Sequence, residues 1–278
     1  MIVPSPASAP PAVRSVTVGA HVVLDVREPS VLAVQVVAAN DDGMFTATLD
    51  GAPVDVRELR GPEPWARQHL VECGPGTLTI AYDATVEPGS GAASVVDPAE
   101  RIVMQRPSRY CPADRLATYG STRLPGPGTP ALERVRAITD YVHDHLEYVS
   151  GSTGPTDDAV DVLLSGQGVC RDYAHVVVTL ARAAGLAARL VAVYAPGLSP
   201  MDFHAVAEID VDGVWHVVDA TRLAPRASLV RICTGRDAAD TAWLTTLSGT
   251  ADLRDVTVTA VADDGLPDDD AQQATTLT

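Results

Sequence analysis

The sequence predicts an α+β protein built from a β-rich, sandwich-like N-terminal domain and a second domain in which a cysteine-bearing helix packs on an antiparallel sheet. Three observations lead to this class. Short β-rich segments run to about residue 86, helical periodicity begins near residue 131, and an Asp-Gly hairpin pattern occupies residues 203–221. With 278 residues, the chain is long enough for two modest domains.

Changes in composition set the predicted domain boundaries. Residues 1–13 are rich in Pro and Ala and are expected to form a disordered arm. We assign residues 14–105 to the β-rich domain and residues 106–262 to the second domain, where a strand over 253–261 is expected to add an edge to the sheet. The tail, 263–278, contains the acidic stretch DDGLPDDD and is expected to be disordered.

Charge and cysteine usage narrow the classes of function. A formal net charge of −16 disfavours binding to nucleic acid or to an anionic membrane. The sequence shows neither a long apolar run nor a signal-peptide pattern, so we expect a cytoplasmic protein. Four scattered cysteines without CxxC pairs disfavour a zinc knuckle or a disulfide framework. The oligomeric state is left open.

The N-terminal domain is predicted from five β-rich segments separated by turn signals such as NDDG and GPEP. Its histidines, His21 and His69, stand alone and indicate no site. The predicted strands cover residues 21–26, 31–39, 45–50, 54–59 and 77–86.

The second domain begins with a linker rich in Pro and Gly, through residues 106–130. Thr129 as N-cap and Pro130 as the first helical residue predict a helix whose apolar residues recur at helical spacing. A short second helix is predicted to start at a Thr156 cap and to end near Gly166.

The stretch GQGVCRDYAH, residues 166–175, predicts a loop that turns into a helix at Cys170 and runs to Ala184. A helix start collects unpaired backbone N–H groups and the positive end of the helix dipole, so a thiol there is biased toward the reactive thiolate. The Cys170 N–H is a candidate oxyanion donor, and Tyr148 and Gln167 are candidates for the second donor.

A strand over residues 188–194 precedes the hairpin. Asp212 and Gly213 suit a two-residue type I′ turn, which fixes how the two hairpin strands pair. In that register His204 and Asp219 are diagonal neighbours on one face, roughly 7–8 Å apart. The turn therefore brings an imidazole and a carboxylate together.

The same geometry excludes two other histidines as partners of the thiol. His216 has the opposite parity from Asp219 and points to the other face of the sheet. His175 lies five residues after Cys170, roughly 140° around the helix axis. His204 is therefore the best partner.

Cys170, His204 and Asp219 are suited to nucleophilic acyl transfer. Cys170 would attack an amide or ester carbonyl, His204 would hold the proton and return it to the leaving amine, and Asp219 would orient the imidazole. Hydrolysis and transfer to an amine share the same acyl-enzyme. We favour hydrolysis, because the sequence identifies no dedicated amine channel.

GVCRDYAH and DFHAVAEIDVDGVWHVVDAT resemble the transglutaminase-like superfamily, in particular bacterial cysteine proteases of that type. The similarity extends over roughly residues 106–247. It implies a papain-like core with a Cys, His, Asp triad, in which Cys170 is the nucleophile, His204 the general base and Asp219 the third member. A peptide or protein amide is the substrate class that this resemblance implies.

Two positions depart from the pattern of the bacterial members. Val206 stands where a tryptophan often follows the His-Ala pair, and Ala220 stands where a proline often follows the aspartate. Both changes are expected to reshape the substrate cleft without removing a catalytic group.

Two other readings stay open. One is a transglutaminase-like binding or scaffold protein without turnover, in which Cys170 is buried. The other is a metal site formed by Cys170, His204 and Asp219, since zinc accepts S, N and O donors; it ranks last, because these ligands include no short-spaced pair. The acidic tail lacks the ligand spacing of an EF-hand loop. We predict no cofactor and no metal dependence.

Overall fold

A computed structural model describes residues 13–40, 43–61, 67–88 and 94–277. The strands are β1 (Val16–Val26), β2 (Ser30–Val34), β3 (Met44–Leu49), β4 (Ala52–Pro53), β5 (Val56–Arg60), β6 (Arg67–Cys73), β7 (Gly76–Val86), β8 (Glu147–Tyr148), β9 (Gln167–Gly168), β10 (Ala188–Tyr194), β11 (Phe203–Val211), β12 (Val214–Val218), β13 (Val230–Gly235), β14 (Leu244–Ser248) and β15 (Ala251–Ala262). The helices are α1 (Pro98–Met104), α2 (Ala117–Arg123), α3 (Ala131–His145), α4 (Ala159–Ser165), α5 (Cys170–Ala183) and α6 (Ala238–Thr241).

Two antiparallel sheets form the N-terminal sandwich. Their strand orders are β15-β1-β7-β3-β4 and β14-β2-β6-β5. Side chains alternate along β1, so that Val18, Val22 and Leu24 are fully buried while His21 is exposed. Burying such an apolar side chain contributes about 1.5–3 kcal/mol. The apolar faces therefore hold the two sheets together.

A third antiparallel sheet, β12-β11-β10-β13, carries the helices. One face packs against α3 and α5, where Ile138, Val177 and Ala207 belong to the same buried cluster. The neighbouring residue on β11, Val206, faces the opposite side and packs in a cluster that includes Leu277 of the tail. Both faces of this sheet are thus covered. The predicted α+β class, with a cysteine-bearing helix on an antiparallel sheet, is confirmed.

The hairpin forms as the Asp-Gly pair predicts. Asp212 and Gly213 both have positive φ, 53° and 90°, as a type I′ turn requires. Val211 lies directly opposite Val214. The predicted register is therefore confirmed, and the preceding strand β10 coincides with the predicted residues 188–194.

Two helix starts differ from the prediction. Pro130 precedes the first helical residue of α3 rather than occupying it. Asp158, not Thr156, caps α4. The Asp158 carboxylate accepts the Val160 N–H at 2.8 Å, and the Asp161 carboxylate accepts the Asp158 N–H at 3.0 Å. A carboxylate at this position also interacts favourably with the helix dipole, which favours Asp158 as the cap.

Strand β6 and helices α1 and α2 were not predicted. β6 buries polar residues on its inner face: Arg67 donates to the Ala38 carbonyl at 2.6 Å, and His69 stacks on Phe45 with ring centroids 4.1 Å apart. A strand with an inward-facing Arg and His lacks the usual apolar alternation. Asp97 is the N-cap of α1, and its carboxylate accepts two backbone N–H groups.

The C-terminal strands return to the N-terminal sandwich. β14 pairs with β2, and β15 pairs with β1 along its full length. The predicted edge strand at 253–261 exists, but it extends a sandwich sheet rather than the sheet of the hairpin. The sheets thus divide the chain differently from the predicted domain of residues 106–262.

The acidic tail is packed on the protein, in contrast to the predicted disorder. Asp269 forms an ion pair with Arg226 at 2.9 Å, the Thr275 carbonyl accepts the Val217 N–H at 2.8 Å, and Leu277 is buried. Apolar anchoring at Leu277 offsets the acidic composition. Of the predicted N-terminal arm, residues 1–12 lie outside the described residues, and Val13 is buried.

The described part of the chain contains no helix with the length and apolar character needed to cross a membrane.

Candidate active site

Cys170 is the first residue of α5, as its sequence neighbourhood predicts. The helix start is fixed by Asp172, whose carboxylate accepts the Val169 N–H at 2.9 Å. Gly168 is required beside it, because a Cβ at this position would lie 2.7 Å from the Asp172 Cβ. Arg171 pairs with the same carboxylate at 2.8 Å. The GVCRD sequence thus holds the thiol at the helix N-terminus.

The sheet brings His204 and Asp219 into direct contact. The His204 Nε2–H donates to Asp219 Oδ2 at 2.8 Å, and both side chains are at most 2% exposed. Thr221 donates its backbone N–H and its hydroxyl to the other carboxylate oxygen, at 2.9 and 2.7 Å. The carboxylate is thus fixed from two sides and orients the imidazole.

Burial alone would lower the pKa of His204, but the charge and hydrogen bond of Asp219, together with Cys170, raise it above its usual value. Burial alone would raise the pKa of Asp219, yet His204 and Thr221 hold it below its usual value. The pair is therefore an imidazolium and a carboxylate. With Nε2 bound to Asp219, Nδ1 is the ring nitrogen left to face Cys170; it makes no hydrogen bond to the described residues.

Tyr148 lies beside Cys170, whereas the other candidate donor points elsewhere. Burial and then the electrostatic interaction with Cys170 raise the pKa of Tyr148 to about 12, so the Tyr148 hydroxyl keeps its proton at neutral pH. Gln167 directs its amide to Glu147 at 3.3 Å. Strand β8 positions Tyr148 by pairing with β9, two residues before Cys170.

A cleft of about 500 Å³ opens beside Cys170, and we call it the Cys170 cleft. Its walls come from α5, β10, β11, β13 and the segment around α6. Phe203 and Trp243 stack with ring centroids 5.3 Å apart, forming an apolar surface. The lining includes Tyr110, Cys170, Asp202, Phe203, His204 and Trp243.

Sequence reasoning missed several of these lining residues. Asp202 and Phe203 directly precede His204 in the sequence, and continuing the strand alternation by one residue before β11 would have placed Asp202 on the same side as His204. Tyr110 and Trp243 carry no such signal, because 60 or more positions of sequence separate each of them from Cys170 and only the tertiary fold brings them there.

The other three cysteines lie in different surroundings from Cys170. Burial raises the pKa of both Cys111 and Cys233 to about 12, and burial also raises that of Cys73. All four are free thiols. Cys170 is the cysteine that lines the cleft.

His175 is buried in α5, but it belongs to a separate contact. Its ring stacks on Tyr110 with centroids 5.2 Å apart, and its Nε2 accepts the Ala238 N–H at 3.1 Å. Burial lowers the pKa of His175 to about 4. This neutral imidazole holds the cleft wall around α6. Within the described residues, no group of three or more His, Cys, Asp and Glu side chains is arranged to hold a metal ion.

Comparison with known proteins agrees with this architecture. Residues 121–220 match the family model of the transglutaminase-like superfamily. The chain is similar over 97% of its length to 99% of a solved protein from Cytophaga hutchinsonii described as a "putative cysteine protease", with a TM-score of 0.85 and 28% sequence identity. The protein therefore contains a transglutaminase-like domain within a fold that also includes the N-terminal sandwich.

Curated relatives match a shorter stretch. An uncharacterized protein of Mycobacterium tuberculosis strain H37Rv is 33% identical over 89 residues, which is 32% of this chain and 28% of the relative. An uncharacterized protein of Mycobacterium leprae is 29% identical over 102 residues, or 36% of this chain and 35% of the relative. The match thus spans about a third or less of each relative.

Proposed function

We propose that the protein is a cysteine-dependent enzyme that cleaves an amide bond of a peptide or protein through a thioester on Cys170. The observation that carries this proposal is the 2.8 Å contact between His204 and Asp219, which holds an imidazolium beside a thiol at a helix start. The transglutaminase-like domain and the similarity to a protein described as a cysteine protease support it.

In the first half-reaction the Cys170 thiolate attacks the substrate carbonyl carbon, and the carbonyl π electrons move to oxygen. In this proposal the Cys170 N–H and the hydroxyl of Tyr148, a neighbour of Cys170, stabilise that oxyanion. His204 then gives its proton to the amide nitrogen as the C–N bond breaks. The products are a free amine and a thioester on Cys170.

In the second half-reaction His204, now neutral, takes a proton from water as the water oxygen attacks the thioester carbon. The C–S bond breaks, the acid leaves and the Cys170 thiolate is restored. Asp219 stabilises the imidazolium at both stages. An amine that enters before water would instead give a new amide. We propose hydrolysis, in which water is the acyl acceptor.

The test is the rate at which iodoacetamide alkylates Cys170 between pH 5 and pH 9, located by mass spectrometry. At pH 6 Cys170 should react at least about tenfold faster than Cys73 in the same protein, because imidazolium maintains the thiolate. His204→Ala should remove that advantage. Reaction at alkaline pH alone, with no dependence on His204, would favour a binding protein without turnover.

A further inference from the structure

The charged groups that line the Cys170 cleft differ in whether they form an ion pair. Arg171 pairs with Asp172 at 2.8 Å, and the imidazolium of His204 pairs with Asp219 at 2.8 Å. Asp202 lines the same cleft and forms no ion pair with any of the described residues. Among the described residues, its Oδ1 accepts the N–H of the adjacent residue, Phe203, at 2.7 Å. One exposed carboxylate in the cleft thus has no counter-ion in the described part of the chain.

Asp202 is held close to the reacting atoms. It precedes β11 by one residue and lies two residues before His204. Its negative charge contributes, after burial and Cys170, to raising the pKa of Tyr148. The Met201 sulfur next to it accepts the Ala260 N–H at 3.5 Å, which anchors this loop on β15. The loop that carries Asp202 is therefore anchored at the rim of the Cys170 cleft.

The surface beside Asp202 is apolar. Phe203 stacks on Trp243, and Ile232 and Leu190 also line the cleft. A substrate segment that fills this surface places its neighbouring side chain within reach of the carboxylate. The whole-chain charge of −16 adds a field that attracts cations and repels acidic chains.

We infer that Asp202 is a specificity-determining residue that selects acyl donors carrying a basic side chain next to an apolar or aromatic residue at the scissile amide. This inference rests on the proposed function of Cys170. An ammonium or guanidinium group of the substrate supplies the missing counter-ion, and the aromatic surface holds the adjacent side chain. An acidic substrate residue in that place is repelled.

The probes are acetyl-dipeptide chloromethyl ketones that differ in one side chain. Phe-Lys, Phe-norleucine and Phe-Glu form one set, and Lys-Phe, norleucine-Phe and Glu-Phe form the other, so either position of the cation is covered. The second-order rate of Cys170 alkylation is measured for each probe and divided by the rate with iodoacetamide, which is uncharged. This division removes any effect of a variant on the thiol itself.

In the wild-type protein the lysine probe of one set should react roughly five- to tenfold faster than its norleucine counterpart. Asp202→Asn should bring that ratio to about one while retaining the Oδ1 acceptor for Phe203. Asp202→Lys should reverse the preference toward the glutamate probe. Asp255→Asn removes one exposed carboxylate of β15, outside the cleft, and should leave the ratio unchanged. Added salt should shrink the wild-type ratio.

Two outcomes overturn the inference: equal rates for the lysine and norleucine probes in both sets, or a lysine preference that survives Asp202→Asn. Failure of the proposed function is distinct, because iodoacetamide would then show no His204-dependent reaction of Cys170 near pH 6.

Discussion

His204 and His175 are two buried histidines close to Cys170, and their surroundings shift their pKa values in opposite directions. His204 contacts the carboxylate of Asp219, and its pKa is raised. His175 accepts a backbone N–H and stacks on Tyr110, and burial lowers its pKa to about 4. Burial therefore does not decide the protonation of an imidazole by itself. The group that contacts the imidazole decides it: His204, which contacts a carboxylate, is an imidazolium suited to activate a thiol, whereas His175 is neutral.

The largest expected effect tests the partner of His204. Asp219→Asn should lower acyl transfer on Cys170 by about 10³- to 10⁴-fold, because the imidazolium loses the carboxylate that stabilises it. The measurement is the rate of amide cleavage with the acetyl-dipeptide amide that corresponds to the fastest chloromethyl ketone probe. Near-wild-type turnover in the Asn variant would show that the partner is not what distinguishes His204 from His175.

Glu208 is a buried carboxylate that lies outside the Cys170 cleft. Its substitution therefore tests the loss of a charged partner without changing the cleft. Glu208 on β11 is fully buried between Arg189 and Arg231, at 2.7 and 2.6 Å. Glu208→Gln should lower the free energy of unfolding by about 3–5 kcal/mol, because the two buried guanidinium groups lose the carboxylate with which both of them pair. Chemical denaturation measures this loss.

The matched control for that experiment is Glu133→Gln in the exposed first turn of α3, which should change stability by less than about 0.5 kcal/mol. Equal changes in the two variants would contradict the structural role of Glu208. Iodoacetamide alkylation of Cys170 in Glu208→Gln, measured under conditions where the variant is folded, should stay within about threefold of wild type.

The neutral histidine, His175, should matter for stability and not for the reactivity of Cys170. His175→Gln should lower the unfolding free energy by about 1–3 kcal/mol, because it removes the ring stacked on Tyr110 and disturbs the acceptor of the Ala238 N–H. Alkylation of Cys170 at pH 6 should remain within about threefold of wild type. If alkylation instead fell as in His204→Ala, the sequence argument that excluded His175 would be wrong.

The smallest expected effect is a pH dependence of opposite form for the two histidines. The folded-state pKa of His175 is below its usual value of 6.5, so its contribution to stability is complete above pH 6.5 and falls by about 1 kcal/mol between pH 6.5 and 5.5. The folded-state pKa of His204 is raised, so its contribution is complete below pH 6.5 and is lost as the pH rises through that raised value.

Unfolding free energies of the wild type, His175→Gln and His204→Gln, measured from pH 5 to pH 8, give these two contributions by difference. Asp219 keeps a lowered pKa and stays ionised over this range, so it does not add a slope of its own. The same pH trend for both variants would contradict the assignment of opposite protonation states.

Local signals located the candidate site well. The Asp212–Gly213 turn determined the register of β11 and β12, and parity then placed His204 near Asp219. The loop before Cys170 placed the thiol at a helix start. Each of these steps depends on neighbours within one hairpin or one helix turn, where backbone geometry leaves few alternatives.

Other parts of the fold gave no readable local signal. β6 lacks a readable apolar alternation because Arg67 and His69 point inward. Arg67 bonds Ala38 in the loop after β2, and His69 stacks on Phe45 of β3. The cap of α4 was ambiguous because several acceptor residues precede it, and Asp158, which forms the cap, also pairs with the distant Arg115 at 2.9 Å. These choices depend on contacts that a single segment does not contain.

What the sequence alone determined about this protein is its class and the identities of Cys170, His204 and Asp219 as candidate residues, because turn chemistry, periodicity and helix capping act over short distances. The tertiary structure decided which sheet β15 joins, how the tail packs, and which residues line the Cys170 cleft. Strand pairing and cleft formation join segments far apart in the chain, and the free energy of such contacts depends on the whole packed core.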